Sequence, residues 1–171
     1  DQLYKTMVIN FESSERDEDY QEPAILYITG GSSSSNNDFQ NLLDWRKERG
    51  YTVYTASLTE TGSSTTSIKN YIQNAYNTFD PPPEYVALVG DVDGSYTVPT
   101  YYNGWGHNSY GNECEGDHPF SQLNGNDLIP EVLVGRMSIR TSSELSTVSN
   151  KIINYEKATY LEYMEDYYEK V

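Results

Sequence analysis

The sequence predicts an α/β fold in three layers, α/β/α, with helices on both faces of a mostly parallel sheet of about four strands. Three observations carry that prediction. Four short runs are continuously apolar and β-branched, the pattern of strands covered on both faces rather than of a sheet with one wet side. Segments of helical periodicity alternate with them, and strands joined through helices imply right-handed crossovers between parallel strands. At 171 residues the chain has room for one domain with a real core, or for a piece of a larger one.

Each element has its own signal. LYKTMVINFE (3–12) reads as a strand, and ESSERDEDYQE (12–22) as a charged linker without a core residue, so 1–22 stands apart from a domain expected over 23–160. The first domain strand is AILYIT (24–29). A helix capped by Asn37 or Asp38 then carries Phe39, Leu42, Leu43 and Arg46 and ends near Gly50. The second strand is TVYTA (52–56). Ile68, Tyr71, Ile72, Ala75, Tyr76 and Phe79 fall on one stripe and predict a helix over 67–79. EYVALV (84–89) is the third strand and EVLVG (131–135) the fourth. Thr141 and Glu144 have capping-box spacing at the start of a last helix through Leu145, Val148, Ile152 and Tyr155. Residues 161–171 form an acidic tail of helical character.

One connection fits badly. About forty residues, 90–130, join the third and fourth strands with little periodicity, against a usual length of ~4 to 6. Such a loop is functional or packs on a neighbour.

Charge narrows the partners. Eleven Lys and Arg against 26 Asp and Glu give a net charge of −15, which opposes nucleic acid and anionic membranes and favours cations. No apolar run approaches the ~20 residues of a membrane span. Cys114 is the single cysteine, so no internal disulfide framework exists. The chain opens at Asp1 with neither an initiator Met nor a signal-peptide pattern, and is read as an excised piece or a processed product.

Three constellations invite chemistry. ITGGSSSSNNDF, from Ile28 to Phe39, runs from a strand through small residues into a helix, the layout of an anion cradle. It matches neither the P-loop nor the dinucleotide fingerprint and holds no Lys or Arg, so Gly30 and Gly31 read as turn residues and neither nucleotide nor flavin is expected. Cys114 with His107 or His118 has the residue types of a nucleophile and base, but Glu113, Glu115 and Asp117 would raise the thiol's pKa where catalysis needs it lowered. They also lack zinc-site spacing and read as a surface thiol and loop histidines.

Carboxylates are the strongest set. Asp91, Asp93, Glu113, Glu115, Asp117, Asp127 and Glu131 follow one another without an intervening Lys or Arg. Ca²⁺ takes six to eight such oxygens, and Asp91, Asp93, Asp127 and Glu131 are the candidate ligands. DVDGSY places its Gly fourth, so the site is not an EF-hand. Asp91 stands at the carboxyl end of the third strand, where α/β sheets place their sites, and Gly90 permits a sharp turn there. Arg136 is its expected bidentate partner in a scaffold pair.

Taken together, EYVALVGDVDGSYTVP, GDHPFSQLNGNDLIPEVLVGRMSIRTSSEL and NKIINYEK resemble the first half of the gingipain-like cysteine peptidases. The motif positions are Gly90 and Asp91, Val98 and Pro99, Asp117 with Phe120, Gly125 and Asp127, Pro130 and Glu131, Gly135 and Arg136, and Lys151 with Tyr155 and Glu156. DFQNLLDWRKERGYTV also looks like that family's first helix and second strand, so the likeness spans 23–157. It implies a caspase-like fold, with flavodoxin-like strand order as the alternative. It implies a secreted or cell-surface endopeptidase acting on a polypeptide substrate by thiolate attack. In the family the catalytic His, in a His-Gly pair, and the Cys lie in the second half of the domain. Here His107 precedes Asn108 and His118 precedes Pro119, so no catalytic role is assigned and the chain alone is expected to be inactive. Its partner is then the missing catalytic subdomain. A non-catalytic calcium-binding or protein-interaction module on the same scaffold is the rival expectation. A truncated α/β piece is also expected to self-associate weakly through an uncovered face or edge.

Overall fold

The computed structural model describes residues 23–102, 115–125 and 128–157 of the chain. The opening run, the tail, Cys114, His107 and Asp127 lie outside them. Strand β1 (Ala24–Thr29) leads into helix α1 (Asn37–Glu48) and strand β2 (Thr52–Ser57). A short helix α2 (Leu58–Thr61) and helix α3 (Thr65–Thr78) lead to β3 (Tyr85–Val89). The long connection contributes β4 (Tyr101–Tyr102), β5 (Glu115–Gly116) and a 3-10 turn at His118–Phe120, before β6 (Leu133–Met137) and α4 (Ser142–Glu156).

Four strands pair in the order β2-β1-β3-β6, all parallel, with Ile25 opposite both Val53 and Tyr85 and Leu88 opposite Arg136. Parallel neighbours require crossovers: α1 lies between β1 and β2, α2 and α3 between β2 and β3, and the long connection between β3 and β6, while α4 follows the last strand. Because β1 continues to one side and β3 to the other, the carboxyl ends of β1 and β3 form the switch point of the sheet.

Alternation along β1 divides the core. Ile25 and Tyr27 pack with Phe39, Leu42 and Leu43 of α1 and with Leu145 and Ile153 of α4. Leu26 and Ile28 face Ile68, Ile72 and Ala75 of α3, joined by Val98 and Phe120 of the long connection. All six β1 residues are buried, so the expectation of a doubly covered strand holds there. It does not hold for β6, where Leu133 is 56% exposed.

Several boundaries differ from expectation for local reasons. Strand β6 begins two residues later, because Glu131 is spent on capping: its N–H donates to Ser121 O and its carboxylate accepts from Leu123 N at 2.6 Å. Gly135 and Arg136 are therefore inside the strand. The cap of α1 is Asn36 rather than Asn37 or Asp38, with Oδ1 accepting from Phe39 N at 2.9 Å. Its Nδ2 also donates to Ser142 O, Ser142 Oγ and Ser146 Oγ, joining the amino ends of α1 and α4. α3 starts at Thr65 behind a Ser64–Ser67 box. At α4 the Thr141 side chain accepts from Glu144 N as expected, while Glu144 accepts from the Arg140 N–H.

The other ends of α1 and α4 are clamped together. Glu156 accepts from Trp45 Nε1 and Arg46 Nη1, both at 2.8 Å. The ammonium of Lys157 lies 4.7 Å from the Trp45 ring centre, within cation–π reach. Tyr51 N donates to Arg46 O and Thr52 N to Pro23 O. Pro23, the start of β2 and the end of α4 thus share the amino edge of the sheet.

Candidate functional site at the carboxyl edge of the sheet

The switch-point crevice is filled by the protein's own backbone. Ser95 to Thr97 cross directly over the ends of β1 and β3. A Cβ on Gly30 would stand 2.5 Å from Tyr96 O and 2.8 Å from Thr97 O. One on Gly31 would meet Ser95 O, and one on Gly90 would meet Tyr96 O. Gly31 (φ 55) and Gly90 (φ 153) also adopt backbone that L side chains avoid. The glycines of the first loop are thus required for close approach as well as for turning. What faces them is carbonyl oxygen, the wrong polarity for a phosphate.

Arg136 holds that plug in place. Its Nε and Nη2 each donate to Asp117 at 2.7 Å, a bidentate pair. Nη1 donates to Gly90 O at 2.9 Å and Val98 O at 2.7 Å, and Nη2 to Pro99 O at 3.2 Å. All five guanidinium protons are used, on a side chain only 10% exposed. Asp117 Oδ1 also accepts from Thr100 Oγ1 at 2.8 Å. Strand β6, the loop after β3 and the loop before β6 are therefore fastened at one point.

This corrects the expected Asp91–Arg136 pair. Asp91 N reaches past the strand end to Ile139 O, which carries its carboxylate toward Arg140 at 2.6 Å. The Arg140 guanidinium, then the Val92 N–H, hold that carboxyl below the usual aspartate range. Asp93 contacts the same Arg140 at 2.8 Å. Glu131, held low by the N–H groups of Leu123 and Asn124, stays with its cap. Of the candidate cation ligands, the structure brings Asp91 and Asp93 together, around a guanidinium, and keeps Glu131 on a separate turn. Among the described residues no three His, Cys, Asp or Glu side chains converge.

The remaining motif positions have structural surroundings. Gly125 turns with φ 74, and Pro130 is exposed just before the Glu131 cap. Gly135 lies opposite Ala87 in the β3–β6 ladder. Phe120 is fully buried, its ring 5.0 Å from that of Tyr101. His118 Nε2 lies 3.2 Å from Leu128 O. Lys151 and Tyr155 are exposed on α4, whereas Glu156 makes the helix clamp. Sequence reasoning missed Asn36 and the Asp117–Arg136 contact; a lone arginine in an apolar strand was the available signal, since it demands a buried partner.

A parallel four-stranded sheet in the order β2-β1-β3-β6, covered by helices and sealed at its switch point, defines a doubly wound α/β domain. The model of peptidase family C25 matches residues 18–170, and the chain belongs to that family. It is 28% identical to Lys-gingipain W83 of Porphyromonas gingivalis over 157 residues, covering 89% of this chain and 8% of that protein. Against gingipain R2 of the same organism (strain ATCC 33277) identity is 23% over 159 residues, covering 91% of this chain and 20% of that protein. A solved structure described as a protease superposes with a TM-score of 0.68 at 26% identity, covering 80% of this chain and 29% of that one. The Arg-specific cysteine proteinase gingipain R gives 0.64 at 21% identity, covering 81% and 29%. The chain thus spans less than a third of each of these relatives.

Proposed function

We propose that this chain is the amino-terminal scaffold half of a C25 cysteine endopeptidase domain, supporting an active site whose nucleophile and base lie elsewhere in the full-length protein. One observation carries the reading: the crevice where an α/β sheet would present its site is closed by Ser95–Thr97 and locked by Arg136. In the assembled domain a cysteine thiolate would attack the scissile carbonyl of a polypeptide while a histidine moves the proton to the leaving amine. This half supplies rigidity to the edge against which those groups work. The family resemblance further supports a secreted or surface-exposed full-length enzyme.

The test is an activity-based one. The 171-residue chain is incubated with peptidyl acyloxymethyl ketones carrying Arg or Lys at the position preceding the cleavage site. No covalent labelling is the expected result. Labelling that disappears in Cys114→Ala would overturn the proposal.

A further inference from the structure

Among the described residues, β6 has a strand on one side only. Leu133 N donates to Glu84 O and Met137 O accepts from Gly90 N, so Leu133, Gly135 and Met137 turn their backbone groups toward β3. By alternation, Val134 and Arg136 turn theirs outward. On β2, at the other edge of the sheet, the exposed residue is Thr55; on β6 the exposed residues are Leu133 and Gly135. Strand β6 holds neither Pro nor Lys, and its one charged side chain, Arg136, is spent on the plug, so nothing on the strand guards this edge.

Gly135 differs from Gly30 and Gly90, which the crossing of Ser95–Thr97 requires. A Cβ on Gly135 would meet nothing within 4 Å. Glycine inside a strand weakens it, and marks places where another backbone or a ligand comes close. Paired with Ala87, Gly135 leaves a hollow of about 420 Å³ in the sheet face, lined also by Tyr27, Tyr51, Tyr85 and Leu133. The hollow opens beside the unpaired edge.

We infer that an extended strand from the remaining part of the full-length protein pairs with the β6 edge and seats a large aromatic side chain over Gly135, in this hollow. A residue opposite Gly135 projects to the same face of the sheet. An aromatic in that position covers the backbone that an edge glycine leaves bare, and Tyr51 and Tyr85, edge to face at 6.3 Å, give it ring partners. A second copy of the chain does not fit. A two-fold antiparallel pair that joins Val134 to Arg136 of the copy sets Gly135 against Gly135 and leaves the hollow empty, and each copy carries a charge of −15. The inference rests on the reading of this chain as one half of a larger domain.

One substitution with opposite signs in two proteins tests it. Gly135→Val enters open space and suits a strand, so it should hold or raise the melting temperature of the 171-residue chain. In the full-length protein the same methyl groups take the seat of the partner's ring, and the melting temperature should fall. A rise or no change in the full-length protein overturns the inference. So does a fall in the 171-residue chain, which would make another segment of this chain or a second copy the occupant. Hydrogen exchange at single amides is the second readout: relative to Gly135 and Met137, which face β3 in both proteins, Val134 and Arg136 should exchange about tenfold or more slowly in the full-length protein than in the 171-residue chain. Equal relative rates overturn the inference. Neither readout depends on where the nucleophile lies, so this pairing and the labelling result fail separately.

Discussion

At the scale of single residues, Arg136 is the most committed side chain described. A buried pair that loses one partner leaves an uncompensated charge, at a cost of about 3 to 5 kcal/mol. The pair is part-buried, so Asp117→Asn and Arg136→Gln should each lower the unfolding free energy, read from the denaturant midpoint, by up to that order. Arg140 is 56% exposed and its pair with Asp91 is worth little, so Asp91→Asn should move the midpoint much less. Arg140 also occupies the place between Asp91 and Asp93 where a cation would sit. Arg140→Gln should therefore make the melting temperature rise with millimolar Ca²⁺ more than in the parent, and an identical response in both would exclude Asp91 and Asp93 as ligands. Acid has a defined sign. Asp91, Glu131 and Glu60 all titrate below their ordinary values of 3.8, 4.5 and 4.5, through Arg140, the Leu123 N–H and the Ser57 N–H respectively. Each contributes stability that is full above those values and is lost as pH falls through the lowered folded ones. Urea midpoints should be level near neutrality and decline progressively below pH ~4.5.

Among elements, the tie between α1 and α4 rests on Asn36 at one end and Glu156 at the other. Replacing an asparagine cap by alanine costs about 0.5 to 2 kcal/mol. Asn36→Ala should fall at the upper end of that range, because Ser142 and Ser146 lose their donor as well; Asn36→Ser should recover the capping share only. Thermal melts of the two variants separate the contributions. These elements also show what a sequence discloses. Strand β1 was legible to the residue because it is buried on both faces, and α3 because its stripe repeats over three turns. β6 was displaced by two residues, since Val132 extends the apolar run while the hydrogen bonds of Glu131 before it go to the preceding loop. The β4–β5 ladder, two residues on each side, pairs across a separation that no local pattern records. The same limit hid the partner of Arg136: Asp91 was the nearer choice along the chain, and Asp117 is brought in only by the path of the long connection.

For the whole molecule, tyrosine is a structural material, as its abundance of 17 implies. Burial pushes the phenols of Tyr27, Tyr54, Tyr71 and Tyr101 above the ordinary value of 10.0. Their contribution is complete below that value and is lost as pH rises through the raised folded ones, because the unfolded chain ionises first. Spectrophotometric titration near 295 nm should show a late phase of phenolate formation that coincides with loss of the far-ultraviolet signal. Simple titration of all tyrosines near pH ~10 with the fold intact would contradict the buried placement. The sheet as a whole carries a closed carboxyl edge and an incompletely covered flank at β6, an arrangement suited to bracing a second unit.

Because Pro23 and Lys157 stand at one end of the sheet, the described α/β unit begins and ends on the same side. Such a module can be spliced into a host loop, or its ends exchanged by a short linker, without threading through the body. The far end is the carboxyl edge that Ser95–Thr97 close, and it is turned toward whatever the rest of the protein sets against it.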